Sequence, residues 1–251
     1  MRCLAFSRRV TKELLRDPLS YIFCLGFPIL MLALFAGINA ALPQEAKQAV
    51  FAPASITPGI GMFGHTFVML FTCLLVSRDR ESCLLQRLYV SPMTAADFCL
   101  GYAVPMLVLA LAQSLICFAA GGVLSLLTEG RLLPFGGCLC SAVSLLPGAV
   151  LFVMLGLCFG SLLSDKAAPG ITSILITAAS LLGGVWMPLE QMKGFRDVCA
   201  YLPFYHCVEA ARAAMSGSIP LGHELCVLLW AAAVSVLGVG AFRRKMKRSY
   251  A

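Results

Sequence analysis

Charge is what this sequence has least of. Of its 251 residues only 12% are Asp, Glu, Lys or Arg, against roughly 25% in an average soluble domain. That leaves too little polar surface to cover a globule of this size in water. Hydrophobic residues make up 60% of the chain and the mean hydropathy is +0.89, so an integral membrane protein is the first class to test. Other absences narrow the chemistry. There is no G-x-x-x-x-G-K-[ST] phosphate loop, so the chain has no ATPase site of its own. No nucleophile–base set stands out, which argues against a membrane-embedded enzyme. Nor is any basic patch interleaved with exposed aromatics, so the formal net charge of +7 is not a nucleic-acid signal.

What is present is long apolar runs. About 20 apolar residues cross a bilayer core at ~1.5 Å per residue. Six runs qualify: 20–42, 56–77, 99–127, 139–163, 169–187 and 224–242. The third contains Pro105 and the fourth Pro147, tolerable where neighbouring helices satisfy the freed backbone groups. All 19 Lys and Arg lie outside these runs, and so do the acids except Glu224, the first residue of the sixth. The first run is 23 residues long and begins only at residue 20, which does not read as a cleaved signal peptide. With six spans, 14 of the 19 basic residues fall on the side of both termini and five on the other. The positive-inside rule therefore predicts both termini in the cytoplasm. The 12 cysteines lie largely inside spans, where Cys behaves as a small hydrophobe. Cys199 and Cys207 fall on the outer side, and a pairing between them is left open.

Outside the spans three segments carry pattern. Residues 1–17 read as an interfacial helix. At about 100° per residue Cys3, Phe6, Val10 and Leu14 form one stripe, with Arg8, Arg9, Lys12 and Arg16 gathered opposite, toward anionic headgroups. Residues 78–92, RDRESCLLQRLYVSP, hold five of the chain's 31 charges and read as a short amphipathic helix stopped by Ser91-Pro92. Leu84, Leu85 and Leu88 share an arc. Asp79, Arg80, Cys83, Gln86 and Arg87 lie outside it. Glu81 falls on the leucine stripe with Arg78 three residues before it. Either Arg78 or a donor on a partner surface satisfies that carboxylate, or the helix is simply solvated. Residues 188–222, on the outer side, are too polar to span and are divided by Pro203, which suggests two short helices dipping into the outer interface.

Candidate chemistry within these elements is thin. His206 and Glu209 share a helix face, but a metal site would need further ligands, and His223, Glu224 and Asp197 stand at no recognisable spacing. His65 is the one histidine inside a span; it suits either a proton relay or a side chain satisfied by a backbone carbonyl or a neighbour. Gly59, Gly61 and Gly64 make a G-x-G-x-x-G with no strand before it, so they read as close helix contact rather than dinucleotide binding. Gly156 and Gly160 form a G-x-x-x-G of the same meaning.

The stretch RDRESCLLQRLYVSPMTAADFCLG resembles the cytoplasmic loop of ABC-2-type permeases, the membrane subunits of one class of ATP-binding cassette exporters. GGVWMPLEQMKGF at 183–195 is similar to that family's run into P-L-E-Q, and LPFYHCVEAARAA at 202–214 to its segment before the last span. Cys83 departs from the pattern, where the family often has Gly. The resemblance implies a single all-α transmembrane domain over 1–251. It would have six spans, a coupling helix docked on a separate ATPase (Arg78, Arg80, Glu81, Leu84, Leu85, Arg87, Leu88) and an outer re-entrant pair (Pro188, Glu190, Pro203, Tyr205, Glu209, Arg212). It also implies a dimer with itself or a sibling permease, ATP and Mg held by the partner ATPase with no cofactor on this chain, and a substrate path lined by spans 2 and 5. With no charge inside the first five spans and only Glu224 at the edge of the sixth, an amphipathic substrate (drug, lipid-like or peptide) fits better than an ion. The basic tail and few-charge loops suit a prokaryotic plasma (inner) membrane. The rival readings are an ATP-independent secondary transporter, which would normally carry intramembrane ion-coupling charges, and a non-transporting membrane component.

Overall fold

The run that opens at Pro53 builds the helix around which the others assemble. In the computed structural model, which describes residues 2–82, 84, 93–218 and 220–248, every regular element among those residues is helical. An amphipathic helix α1 (Arg2–Leu14) precedes α2 (Pro18–Ala41), α3 (Pro53–Glu81) and α4 (Ala95–Glu129). Then come α5 (Phe135–Ser144), α6 (Leu146–Leu162) and α7 (Ala168–Leu182). Two short helices, α8 (Lys193–Cys199) and α9 (Pro203–Met215), lead to α10 (Leu221–Arg248). The most apolar stretch of α3 is 83% buried, against 22% in α2 and 28% in α10. So α3 is the axis, packed by α2, α4, α6, α7 and α9, while α2 and α10 turn most of their surface outward.

Among the described residues, five helices are long and apolar enough to cross a membrane: α2, α3, α4, α5 with α6, and α10. The 169–187 run differs from expectation. Its helix stops at Leu182, 15 residues long, about 22 Å at ~1.5 Å per residue. Gly184 then turns the chain with φ +67, a left-handed conformation that glycine adopts without a Cβ penalty. The 139–163 run is interrupted at Leu145, because Pro147 lacks an N–H and its ring crowds the carbonyl four residues back; it sits in the first turn of α6 instead. Pro28 acts similarly in α2, where Ile22–Gly26 just before it form a π turn. Pro105 lies inside α4 without breaking it.

Close approach of backbones holds the centre together. A Cβ on Gly156 would lie 2.6 Å from the Met69 carbonyl oxygen, and one on Gly160 2.7 Å from that of Cys73. The G-x-x-x-G of α6 is thus the face that meets α3. Gly64 fits against Gln113 of α4 and Gly59 against Val185, so the glycines of 59–64 serve helix contact. Aromatic rings bind α2 to α3, with Phe27 edge-on to Phe67 at 5.4 Å, and Trp186 stands between Phe35 at 4.8 Å and Phe63 at 5.2 Å.

Candidate functional site

The apolar stripe of α1 is buried, as its period predicts, but against protein. Phe6, Val10 and Leu14 are in the core. Phe6 packs edge-on to Phe98 (5.3 Å) and Tyr102 (4.9 Å) of α4. Arg8, Lys12 and Arg16 are exposed on the other side. Arg9 does not join them. Its guanidinium turns inward over the Phe6 ring and donates two parallel hydrogen bonds to Asp79, at 2.6 and 2.8 Å. Tyr102 donates a third to the same carboxylate at 2.6 Å, and Glu13 pairs with Arg9 at 2.8 Å. Asp79 is 3% exposed. A buried carboxylate needs such partners, and the fork of Arg matches it in two places. The Asp79 hydrogen bond pushes the Arg9 guanidinium above its ordinary value, whereas burial raises the Glu13 carboxyl despite Arg9.

Residues 78–81 are the last turn of α3, not the start of a separate helix, because nothing before Ser82 interrupts the backbone pattern. Arg80 donates to the carbonyls of Ser161 (3.2 Å) and Leu163, a cation on the C-terminal end of α6 where the helix dipole favours it. Ser77 donates to Asp165 at 3.2 Å. Glu81 accepts from the Asp165 backbone N–H at 2.9 Å. The acceptor that the leucine stripe left unexplained is therefore used within the chain, by the α6–α7 turn. Leu84 is half-buried. Leu85, Arg87 and Leu88, with the stop at Ser91-Pro92, lie outside the described residues. Thr94 and Asp97 then start α4 with a reciprocal capping box.

At the other end of the bundle, Pro203 opens α9 as expected, and Arg212 ties three elements. It donates to Ser55 O (3.2 Å) at the start of α3, to Gly184 O (3.0 Å) in the turn after α7, and to Glu209 (2.9 Å). Tyr205 is buried, and its hydroxyl accepts from Arg196 at 3.1 Å. Pro188, Tyr205, Glu209 and Arg212 border a cavity of about 310 Å³. Glu190 falls in a single 3-10 turn, Leu189–Gln191, and its side chain is outside the described set. His206 meets His223, Nδ1 to Nδ1 at 2.7 Å, and its Nε2 lies 2.9 Å from Ala200 O. Cys199 and Cys207 are free thiols in separate clusters.

Between the ends, His65 faces α4. Its Nε2 lies 2.9 Å from Ser114 Oγ and 3.3 Å from Ala110 O. A carbonyl only accepts, so Nε2 carries the hydrogen in that contact. His65 Nδ1 and both amide atoms of the neighbouring Gln113 are buried without a protein partner.

Helical period on a separate 78–92 helix put Asp79 away from the leucine stripe and set Arg9 among the outward cations; in the structure Asp79 is buried in the last turn of α3, with Arg9 and Tyr102 as its partners. The available signal was position. Asp79 continues the buried side of α3 one turn past Val76, where an acid must find a cation.

A helical bundle of membrane-crossing length, with a charged junction at one end and a short helical pair at the other, is the outline of an integral membrane domain. The model of the ABC-2 type transporter family matches residues 1–216, and the chain belongs to that family. It is 31% identical over 90 residues to the putative transport permease YvfS of Bacillus subtilis (strain 168), covering 36% of this chain and 37% of that one. It is 33% identical over 135 residues to the probable multidrug ABC transporter permease YbhR of Escherichia coli (strain K12), covering 53% of this chain and 35% of that one. These matches span little more than a third of either relative.

Proposed function

We propose that the chain is the permease subunit of an ATP-driven exporter, working with a separate ATP-binding subunit and a second permease copy. In this reading it spans a prokaryotic plasma membrane six times with both termini in the cytoplasm. The sixth crossing is the short α7 completed by the Gly183–Met187 turn. Residues 78–92 form the docking surface for the ATPase, and the α8–α9 pair dips into the outer leaflet. ATP and Mg belong to the partner.

One observation carries this. The central helix runs unbroken into the charged loop, and its last turn is bonded to α1 and α4 through Asp79 and to the α6–α7 turn through Arg80 and Glu81. A push on the loop would reach four helices and the axis of the bundle at once. α7 leaves Ile171, Ile174 and Leu181 uncovered, which supports a place for it on the substrate path. α3 is largely covered within this chain, which limits its share. The scarcity of charge within the spans favours an amphipathic substrate, and the name of the YbhR relative points the same way.

The test is a pull-down. The tagged chain is extracted in mild detergent and its stoichiometric partners identified by mass spectrometry. Co-purification of an ATP-binding subunit, lost on Arg87→Glu, is the expected result. Glu81→Gln, which keeps an acceptor for Asp165 N–H, should retain the partner, whereas Glu81→Lys should not. Recovery with no ATPase, under conditions that preserve other membrane complexes, overturns the reading. It would favour ion-driven transport with His65 as proton carrier, for which the unpartnered Nδ1 beside Gln113 is the supporting observation.

A further inference from the structure

The exposed face of α1 has more positive charge than the protein uses. Arg8 and Lys12 stand one four-residue step apart on the helix, and Arg16 follows in the turn just past its end. Arg78, at the end of α3, faces the same space. All four are exposed, and none makes a side-chain hydrogen bond or ion pair among the described residues. Together they border a cleft of about 780 Å³. The two acids that share its wall are already engaged: Glu13 pairs with Arg9, and Asp17 accepts from Leu19 N–H and Ser20 Oγ. Glu13 also feels the charge of Arg78, and Asp17 keeps its own, but five cations against these two acids leave the cleft wall net positive.

Its floor is not polar. Glu13, Asp17 and Arg78 also border a second, narrower depression of about 110 Å³, which continues between α1, α2, α3 and α4 along Leu14, Leu19, Phe71, Leu75 and Met106. A basic cup thus opens directly into an apolar groove. A free phosphate would fill the cup and leave the groove wet. A molecule with an anionic head and a hydrocarbon tail satisfies both.

We propose that cleft and groove together bind one anionic phospholipid, its phosphate among Arg8, Lys12, Arg16 and Arg78 and an acyl chain along Phe71, Leu75 and Met106. The proposal rests on the reading that α1 lies at the cytoplasmic membrane surface. The lipid would sit one turn from the Arg9–Asp79 pair, and so brace the junction through which the loop acts on α3.

Native mass spectrometry of the detergent-solubilised chain, titrated with phosphatidylglycerol or phosphatidylcholine, tests it. One phosphatidylglycerol should be retained in preference to phosphatidylcholine. The double change Arg16→Gln with Arg78→Gln should weaken retention about tenfold, since each cation contributes a share of the attraction to an anionic head. Leu75→Trp, which fills the groove with every cation in place, should weaken it as well. Excess sn-glycerol 3-phosphate should not displace the lipid. Equal retention of the two lipids by the wild type, unchanged retention in both variants, or displacement by glycerol phosphate overturns the proposal; the last would mean a free-phosphate site. Where a variant loses its helical circular dichroism, Arg8→Gln with Lys12→Gln replaces it, both side chains being exposed. Protease removal of an N-terminal epitope from right-side-out vesicles would sink the topology on which the proposal rests. Removal from inside-out vesicles only, with no preference for phosphatidylglycerol, would sink the lipid site alone.

Discussion

Asp79 is the residue on which the junction turns, because three hydrogen bonds from two side chains, Arg9 and Tyr102, converge on its buried carboxylate. Removing one partner of a buried pair leaves the other desolvated and unpaired, at about 3–5 kcal/mol when both are fully enclosed. Arg9 keeps 35% of its side chain in solvent, so Asp79→Ala should cost less, about 2–3 kcal/mol. Tyr102→Phe should cost about 1 kcal/mol, one hydrogen bond. Thermal unfolding in detergent reads both. The double variant should be less destabilised than the sum of the singles, because the tyrosine hydroxyl has nothing left to bond once the carboxylate is gone. Strict additivity would mean the two do not act through one network. Arg9 was visible in the sequence as a charge on α1, yet its partner lies 70 positions away. Helical period places a residue on a face; it does not say which distant element will cover that face.

Helix contact was more legible than helix ends. The G-x-x-x-G at 156 and 160 could be read as a packing face from spacing alone, since only a residue without Cβ lets two backbones meet. In the structure a Cβ at either position would strike a backbone carbonyl of α3, which no side-chain motion relieves. Gly160→Val should therefore part α6 from α3, seen as a lower unfolding temperature and loss of the monodisperse peak in size-exclusion chromatography. Gly122→Ala, in α4 where nothing lies within 4 Å of the added carbon, should match or slightly exceed the wild type, because alanine is the better helix former by about 1 kcal/mol. If both variants behave alike, the contact is not what holds α6. The ends were less legible for a physical reason. Hydropathy sees no difference between an apolar helix and an apolar turn, so 169–187 read as one span although the helix stops at Leu182. In the same way 139–163 read as one helix, although Pro147 restarts it.

Across the whole molecule, both ends of α3 are held by an arginine on backbone carbonyls. At one end Arg80 donates to Ser161 O and Leu163 O, beside the Arg9–Asp79 pair. At the other, Arg212 donates to Ser55 O and Gly184 O, and so clasps the start of α3, the turn after α7 and its own helix α9 together. The sequence showed this end as a polar, proline-divided segment, but no pattern in it pointed to two carbonyls as the receptors, because a carbonyl is present at every residue. If the chain works as proposed, a displacement begun at 78–92 must be transmitted along α3 and end at this clasp. Arg212→Lys tests that link. A lysine keeps the charge but offers a compact ammonium in place of a planar fork, so it cannot serve Ser55, Gly184 and Glu209 from one position. The variant should insert, and should co-purify with its ATPase as the wild type does, since the opposite end is untouched. It should retain basal ATP hydrolysis and lose substrate-stimulated hydrolysis together with efflux, by about tenfold or more if all three bonds, at ~1 kcal/mol each, are weakened. Full efflux by this variant would mean that α9 is a fixed lid on the bundle rather than the far end of its movement.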